Sequence, residues 1–164
     1  SREINLEYDD GGIISSSGVV IPDLLSSLLS LPYHELSPPK SLGMEWMVES
    51  VLPILNEYSS SSLEGRMRTS VEYVAQTIVE SCPSSGSVLI TGGGVFNSFL
   101  MSRLQELTKS SDINFEIPDP IISQGKEAYA FAFLGLLRYL NKPNILQSVT
   151  GASKASSGGA VWIP

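Results

Sequence analysis

The sequence predicts an α/β chain, rich in helix and built on a small, mainly parallel sheet. Three observations carry this reading. Val88, Leu89 and Ile90 form an apolar run that leads into Gly92, Gly93 and Gly94, after which Phe99, Leu100, Leu104 and Leu107 recur at helical spacing. A second short apolar run, Phe115-Glu116-Ile117, follows that helix, and a further helical pattern, Glu127–Tyr139, follows the second run. The order helix, strand, helix, strand, helix is that of a parallel α/β layer.

The elements follow in chain order. After a glycine-rich start, Ile21, Leu24, Leu25, Leu28 and Leu29 mark a core helix that ends near Leu31-Pro32, with Pro22 tolerated in its first turn. Pro38-Pro39 forces an extended link, and Glu45–Leu55 returns to a helical pattern that Pro53 interrupts or kinks. Ser59–Ser62 reads as a flexible loop. Met67, Val71, Val74, Ala75, Ile78 and Val79 predict an amphipathic helix that stops before Pro83, with Ser84-Ser85-Gly86 as the turn into the next strand. Val88–Ile90 is expected to be central and fully buried. Either Asn97 or Ser98 can cap the following helix, and Ala160-Val161-Trp162-Ile163 is expected as a final strand. Only two or three strands are visible, fewer than a stable sheet usually has.

Composition narrows the function. The 164 residues have room for one domain with a core, and the net charge of −7, with ten scattered Lys and Arg, is that of a chain without a nucleic-acid-binding face. The apolar stretch Ala128–Leu140 is too short to cross a bilayer, so no membrane partner is expected. A lone Cys82 suits a reducing compartment and a cytoplasmic location. With one Cys and one His, no metal site is assigned; His34 is expected on the surface or partly packed, and Cys82 as a small buried residue.

The glycine turn holds the chemistry. Three adjacent residues without Cβ permit positive φ and let a ligand approach bare backbone, while the N–H groups of the next helix can meet a phosphate or a ribose. The same sequence also suits a tight strand-to-helix turn that binds nothing. Asp9 and Asp10 invite an acid/base reading, but adjacent residues of an extended segment point apart, and both are read as turn residues.

Thr91-Gly-Gly-Gly-Val-Phe-Asn-Ser-Phe-Leu-Met-Ser-Arg-Leu104 resembles the GGGxxNxxLMxxL segment of the anhydro-N-acetylmuramic acid kinases, sugar kinases of the actin/hexokinase/Hsp70 ATPase superfamily. Other segments match in the same order: Tyr8-Asp9-Asp10-Gly11-Gly12 with Ser17-Gly18, Pro32-Tyr33 with Pro38-Pro39-Lys40-Ser41, Lys126–Ala132, and Val149–Ser153. The resemblance spans nearly the whole chain. It departs at Leu42 and Met44, where the family carries Thr and Arg, and this weakens what can be carried over to Lys40.

The resemblance implies the C-terminal lobe, over residues 1–164 and incomplete, of a two-lobed kinase with a ribonuclease H-like, actin-like ATPase fold. It implies ATP with Mg²⁺ on its phosphates, held by Gly92, Gly93, Gly94 and Asn97, and a 1,6-anhydro-N-acetylmuramic acid substrate contacted by Glu127, read as opening its helix. The catalytic aspartate is expected in a loop upstream of Tyr8, outside this chain, so none is assigned within it. An open sheet edge makes a homodimer a candidate assembly. Two other readings stay open: a kinase or ATPase of the same superfamily with another substrate, and a non-catalytic nucleotide-binding remnant.

Overall fold

The computed structural model describes residues 7–162. Chain packing divides it into two units: one holds the segment up to His34 together with Leu42–Pro118, the other Glu35–Ser41 together with the segment from Asp119 onward.

The first unit opens on a 3-10 turn, Asp10–Gly12, that runs into α1 (Ile13–Ser17). Asp9 closes this turn: its carboxylate accepts hydrogen bonds from the Ile14 N–H (2.8 Å), the Ser15 N–H (3.0 Å) and the Ser15 hydroxyl (2.7 Å). These occupy N–H groups that a helix start otherwise leaves unpaired. Helix α2 (Pro22–Leu29) begins on its proline as expected, and Leu24 and Leu28, one turn apart, are completely buried. They form a core with Leu31, Val51 and Tyr73, against which Trp46, Ile54 and Leu55 pack.

The pattern over Glu45–Leu55 folds as α3 (Met44–Trp46), a π turn (Met47–Val51) and α4 (Leu52–Glu57). The disturbance expected at Pro53 therefore takes the form of a π turn just before it, with the proline at the second position of α4. The serine loop ends in a cap: the Ser62 hydroxyl accepts the Gly65 N–H (3.2 Å) and starts α5 (Leu63–Ser81).

Helix α5 keeps part of the expected apolar face, since Ala75 is buried and Ile78 and Val79 pack with it, and adds a second buried stripe. Its buried positions are Gly65, Thr69, Glu72, Tyr73 and Ala75, whereas Val74 is exposed. Gly65, Thr69 and Glu72 lie on one stripe at intervals of four and three residues, and each meets a specific partner. Gly18 sits against the Glu64 carbonyl so closely that a Cβ there would collide with backbone. The Thr69 hydroxyl donates to Gly65 O (2.7 Å) and accepts the Ile21 N–H (2.9 Å). Tyr73 meets His34 through a 2.8 Å bond between the Tyr73 hydroxyl and His34 Nε2, so the histidine is partly packed, as expected. Cys82 is half-buried after α5, and burial pushes its thiol pKa up, away from nucleophile chemistry.

The sheet has two parallel strands, β1 (Ser85–Leu89) and β2 (Asp112–Glu116), with Ser85 opposite Asp112 and Leu89 opposite Glu116. Between them runs α6 (Ser98–Leu107). This corrects the expectation of a central, fully buried Val88–Ile90. Among the described residues each of the two strands is an edge, and the core of Ala75, Met101 and Leu104 packs with Ile90 and Phe115. Side chains alternate across a strand, so Val88 and Ile90 are half-buried while Leu89 is 58% exposed. The strand also takes in Ser85 and Gly86, which were expected as turn.

In the second unit, α7 spans Pro120–Tyr139. Glu127 therefore does not open the helix. Asp119 caps it, accepting the Ile121 N–H (2.8 Å), and Pro120 fills the first position, a pairing that outweighs the later apolar pattern. After α7 the chain folds back. Asn144 Nδ2 donates to Leu134 O (3.1 Å) and Gly158 O (3.2 Å), its Oδ1 accepts the Gly158 N–H (2.8 Å), and Arg138 Nε donates to Gly159 O (2.9 Å). Helix α8 (Gln147–Thr150) ends on Gly151 at φ +72°, where an added Cβ would press on Pro39 at 3.1 Å. Ile145 and Ser156 form an isolated antiparallel bridge, and residues 160–162 make no strand, contrary to expectation; Ile163 lies outside the described residues. Among the described residues no helix is long and apolar enough to cross a membrane.

Candidate functional site

The Ile90 N–H extends the β ladder by donating to Glu116 O (2.8 Å), and the chain then turns. Gly92 has φ +93° and ψ −179°, a conformation in effect reserved for glycine. Gly93–Phe96 form a 3-10 turn closed by Val95 N–H to Gly92 O (3.3 Å) and Asn97 N–H to Gly94 O (3.1 Å), with Val95 buried beneath as its anchor. Asn97 caps α6: its Oδ1 accepts the Leu100 N–H at 2.9 Å. Of the two candidate caps, Asn97 is the one used.

This turn is open on one side. A Cβ built on Gly93 would meet nothing within 4 Å, and one on Gly94 only Leu100 Cδ2 at 3.9 Å. The space belongs to a cleft of about 470 Å³ lined on one wall by Gly93, Gly94, Phe96 and Asn97, and on the other by Tyr8, Asp9, Asp10 and Gly11. Gly12 holds the walls together. It is buried at φ +77°, and a Cβ on it would clash with the Asn97 side chain and Phe99 Cβ.

Sequence reasoning located the glycine wall and missed its partner. Tyr8–Gly12 stood out as a motif without a role, and only the packing of Gly12 on Asn97 and Phe99 shows that it faces the glycine turn. Asp9 is the turn residue it was read as. Asp10, read the same way, lines the cleft with an exposed side chain. Tyr8 and Phe96 present one large aromatic ring from each wall, 66% and 65% exposed. Glu127 lies in the other unit, exposed within α7 and, among the described residues, with no hydrogen bond or ion pair to hold it. Lys40 is exposed in that unit as well. Among the described residues, no three His, Cys, Asp or Glu side chains gather as a metal site.

Two carboxylates support the cleft. Burial alone would raise the Asp9 carboxyl, but hydrogen bonds from Ser15 and Ile14 outweigh it and hold the pKa below its ordinary value. Glu72 behaves alike: burial raises, while Arg103, Gln76 and the nearby Arg68 charge lower it further. A depressed carboxyl contributes stability that is present above its unfolded pKa and lost as pH falls through the folded one. The melting temperature is therefore expected to fall as pH drops below about 4, and Asp9→Asn should flatten that slope. An unchanged slope in the variant would show that Asp9 contributes nothing to it.

The glycine turn that joins β1 to α6, with its Asn97 cap, walls an open cleft opposite Tyr8–Gly11 in an α/β unit. The chain belongs to the anhydro-N-acetylmuramic acid kinase family, whose model matches residues 1–164. Proteins named anhydro-N-acetylmuramic acid kinase from Francisella tularensis subsp. novicida, Bacillus cereus and Coxiella burnetii are 33%, 31% and 34% identical to it. The matches cover 90%, 99% and 97% of this chain and 41%, 45% and 44% of those relatives, so the chain spans less than half their length.

Proposed function

We propose that this chain supplies the nucleotide-binding part of an ATP-dependent kinase acting on 1,6-anhydro-N-acetylmuramic acid in the cytoplasm, as the C-terminal lobe of a ribonuclease H-like, actin-like ATPase fold. The observation that carries this reading is the open backbone of Gly93 and Gly94 facing the cleft, in a chain of this family. The charge of the lining selects which part of ATP enters. Its residues include two carboxylates and no Lys or Arg, which disfavours a triphosphate but suits an uncharged nucleoside. The base lies between Tyr8 and Phe96, its faces stacked on the rings, and the ribose hydroxyls lie toward Asp10, a strong acceptor. The phosphates would extend away from this acidic wall, carrying Mg²⁺, whose charge would offset theirs.

In the proposed reaction a water molecule adds to the anomeric carbon, the bond from that carbon to O6 breaks, and O6 takes the γ-phosphoryl group, giving N-acetylmuramic acid 6-phosphate and ADP. An aspartate outside residues 1–164 removes the proton of the water. The part of this chain is positioning, which dominates phosphoryl transfer. Glu127 is the proposed sugar contact. The test is mass-spectrometric analysis of products when the full-length protein meets MgATP and the anhydro-sugar. The expected product carries both an added water and a phosphoryl group; phosphorylation only of N-acetylglucosamine, or none of any sugar, would overturn the reading.

A further inference from the structure

The two walls of the cleft come from distant parts of the sequence, yet both are tied to α5, which lines none of it. On the first wall, Asp9 caps α1, α1 ends where Gly18 rests on the Glu64 carbonyl, and the Ile21 N–H donates to Thr69 Oγ1. On the second wall, α6 starts at Asn97 and carries Phe99 and Arg103. The Arg68 guanidinium lies over the Phe99 ring, 4.6 Å from its centre, and Arg103 forms a two-pronged pair with Glu72, Nε to Oε2 at 2.8 Å and Nη2 to Oε1 at 3.1 Å.

We infer that Glu72, Arg103 and Arg68 are positioning residues that set the width of the cleft, and so its affinity for nucleotide, by fixing α6 against α5. This rests on the reading of that cleft as the nucleotide site. The physical reason lies in the choice of an ion pair where burial is deep. Glu72 is 5% exposed while the Arg103 side chain is half-buried, and apolar residues of similar volume often stabilise such a contact as well or better. A forked guanidinium–carboxylate pair instead fixes distance and rotation together. It lies on the stripe that also holds Gly65 and Thr69, so one face of α5 sets the register of both walls. The Phe99 contact carries the same constraint to the first turn of α6, where Gly12 of the opposite wall packs against Phe99 Cβ.

The test compares Glu72→Gln, which keeps the shape and loses the charge, with Arg103→Lys, which keeps the charge and loses the fork, in the full-length protein. Steady-state kinetics are read beside melting temperature, with Gly93→Val as a probe of the cleft itself. The KM for ATP is expected to rise about tenfold in both Glu72→Gln and Arg103→Lys, while kcat and the KM for the anhydro-sugar stay within about twofold. A purely structural brace would lower the melting temperature and move kcat and both KM values together, and that result overturns the inference. An unchanged KM for ATP in folded variants also overturns it. If Glu72→Gln does not fold, Arg103→Lys decides by the same criterion. If Gly93→Val raises the KM for ATP and the Glu72 and Arg103 variants do not, positioning alone is refuted. If Gly93→Val has no effect either, the cleft does not hold nucleotide and both readings fall.

Discussion

Gly93→Val should raise the KM for ATP of the full-length enzyme by about a hundredfold while leaving its melting temperature almost unchanged. The two halves of this expectation come from one observation. A Cβ at Gly93 meets nothing within 4 Å, and Gly93 is not among the positive-φ glycines. The fold therefore has room for the side chain, and the lost backbone freedom of the unfolded chain even favours the variant slightly. What it fills is the cleft: the branched side chain stands where the backbone of the turn is open to the nucleoside. A folded Gly93→Val protein with unaltered ATP kinetics would place the nucleotide elsewhere.

Glu127→Gln is expected to act on the other substrate. The carboxylate is exposed in α7 and makes no hydrogen bond or ion pair among the described residues, so exchange for the isosteric amide should change stability by less than about 0.5 kcal/mol. Its proposed role is to accept hydrogen bonds from sugar hydroxyls. Bonds to an ionised acceptor contribute about 1.5–3 kcal/mol, so the KM for the anhydro-sugar should rise by about one order of magnitude or more while the KM for ATP holds. Equal loss toward both substrates would assign Glu127 to the fold, and no loss toward either would remove it from the site.

Both variants are informative because the structure is indifferent to them, and that indifference was not legible in the sequence. Helix α2 was: Pro22 at the first position and Leu24 and Leu28 one turn apart are local signals that the tertiary structure only confirms. The glycine turn was legible for the same reason, and its cap was legible as Asn97 or Ser98, between which the structure chooses Asn97. The depth of β1 was not, since three consecutive apolar residues read alike whether one face of a strand is covered or both, and only Val88 and Ile90 are partly covered. The buried stripe of α5 was hidden more thoroughly. Thr69 and Glu72 look like solvent-facing residues until Ile21 and Arg103, the latter 31 residues away from Glu72, arrive to satisfy them. The start of α7 was within reach, because Asp119-Pro120 is a capping pair, but the Glu127 motif drew the boundary past it. The wall of the cleft opposite the glycine turn, Tyr8–Gly11, is a tertiary product made by Gly12 packing on Asn97 and Phe99, and no local pattern records that contact.

The most direct measurement is the location of the nucleotide in a crystal structure of the full-length protein with ADP. The account predicts the adenine ring between Tyr8 and Phe96, the ribose hydroxyls within hydrogen-bond reach of Asp10, and the Gly93 and Gly94 backbone against the nucleoside. ADP bound anywhere else, with solvent against Gly93 and Gly94, would contradict it.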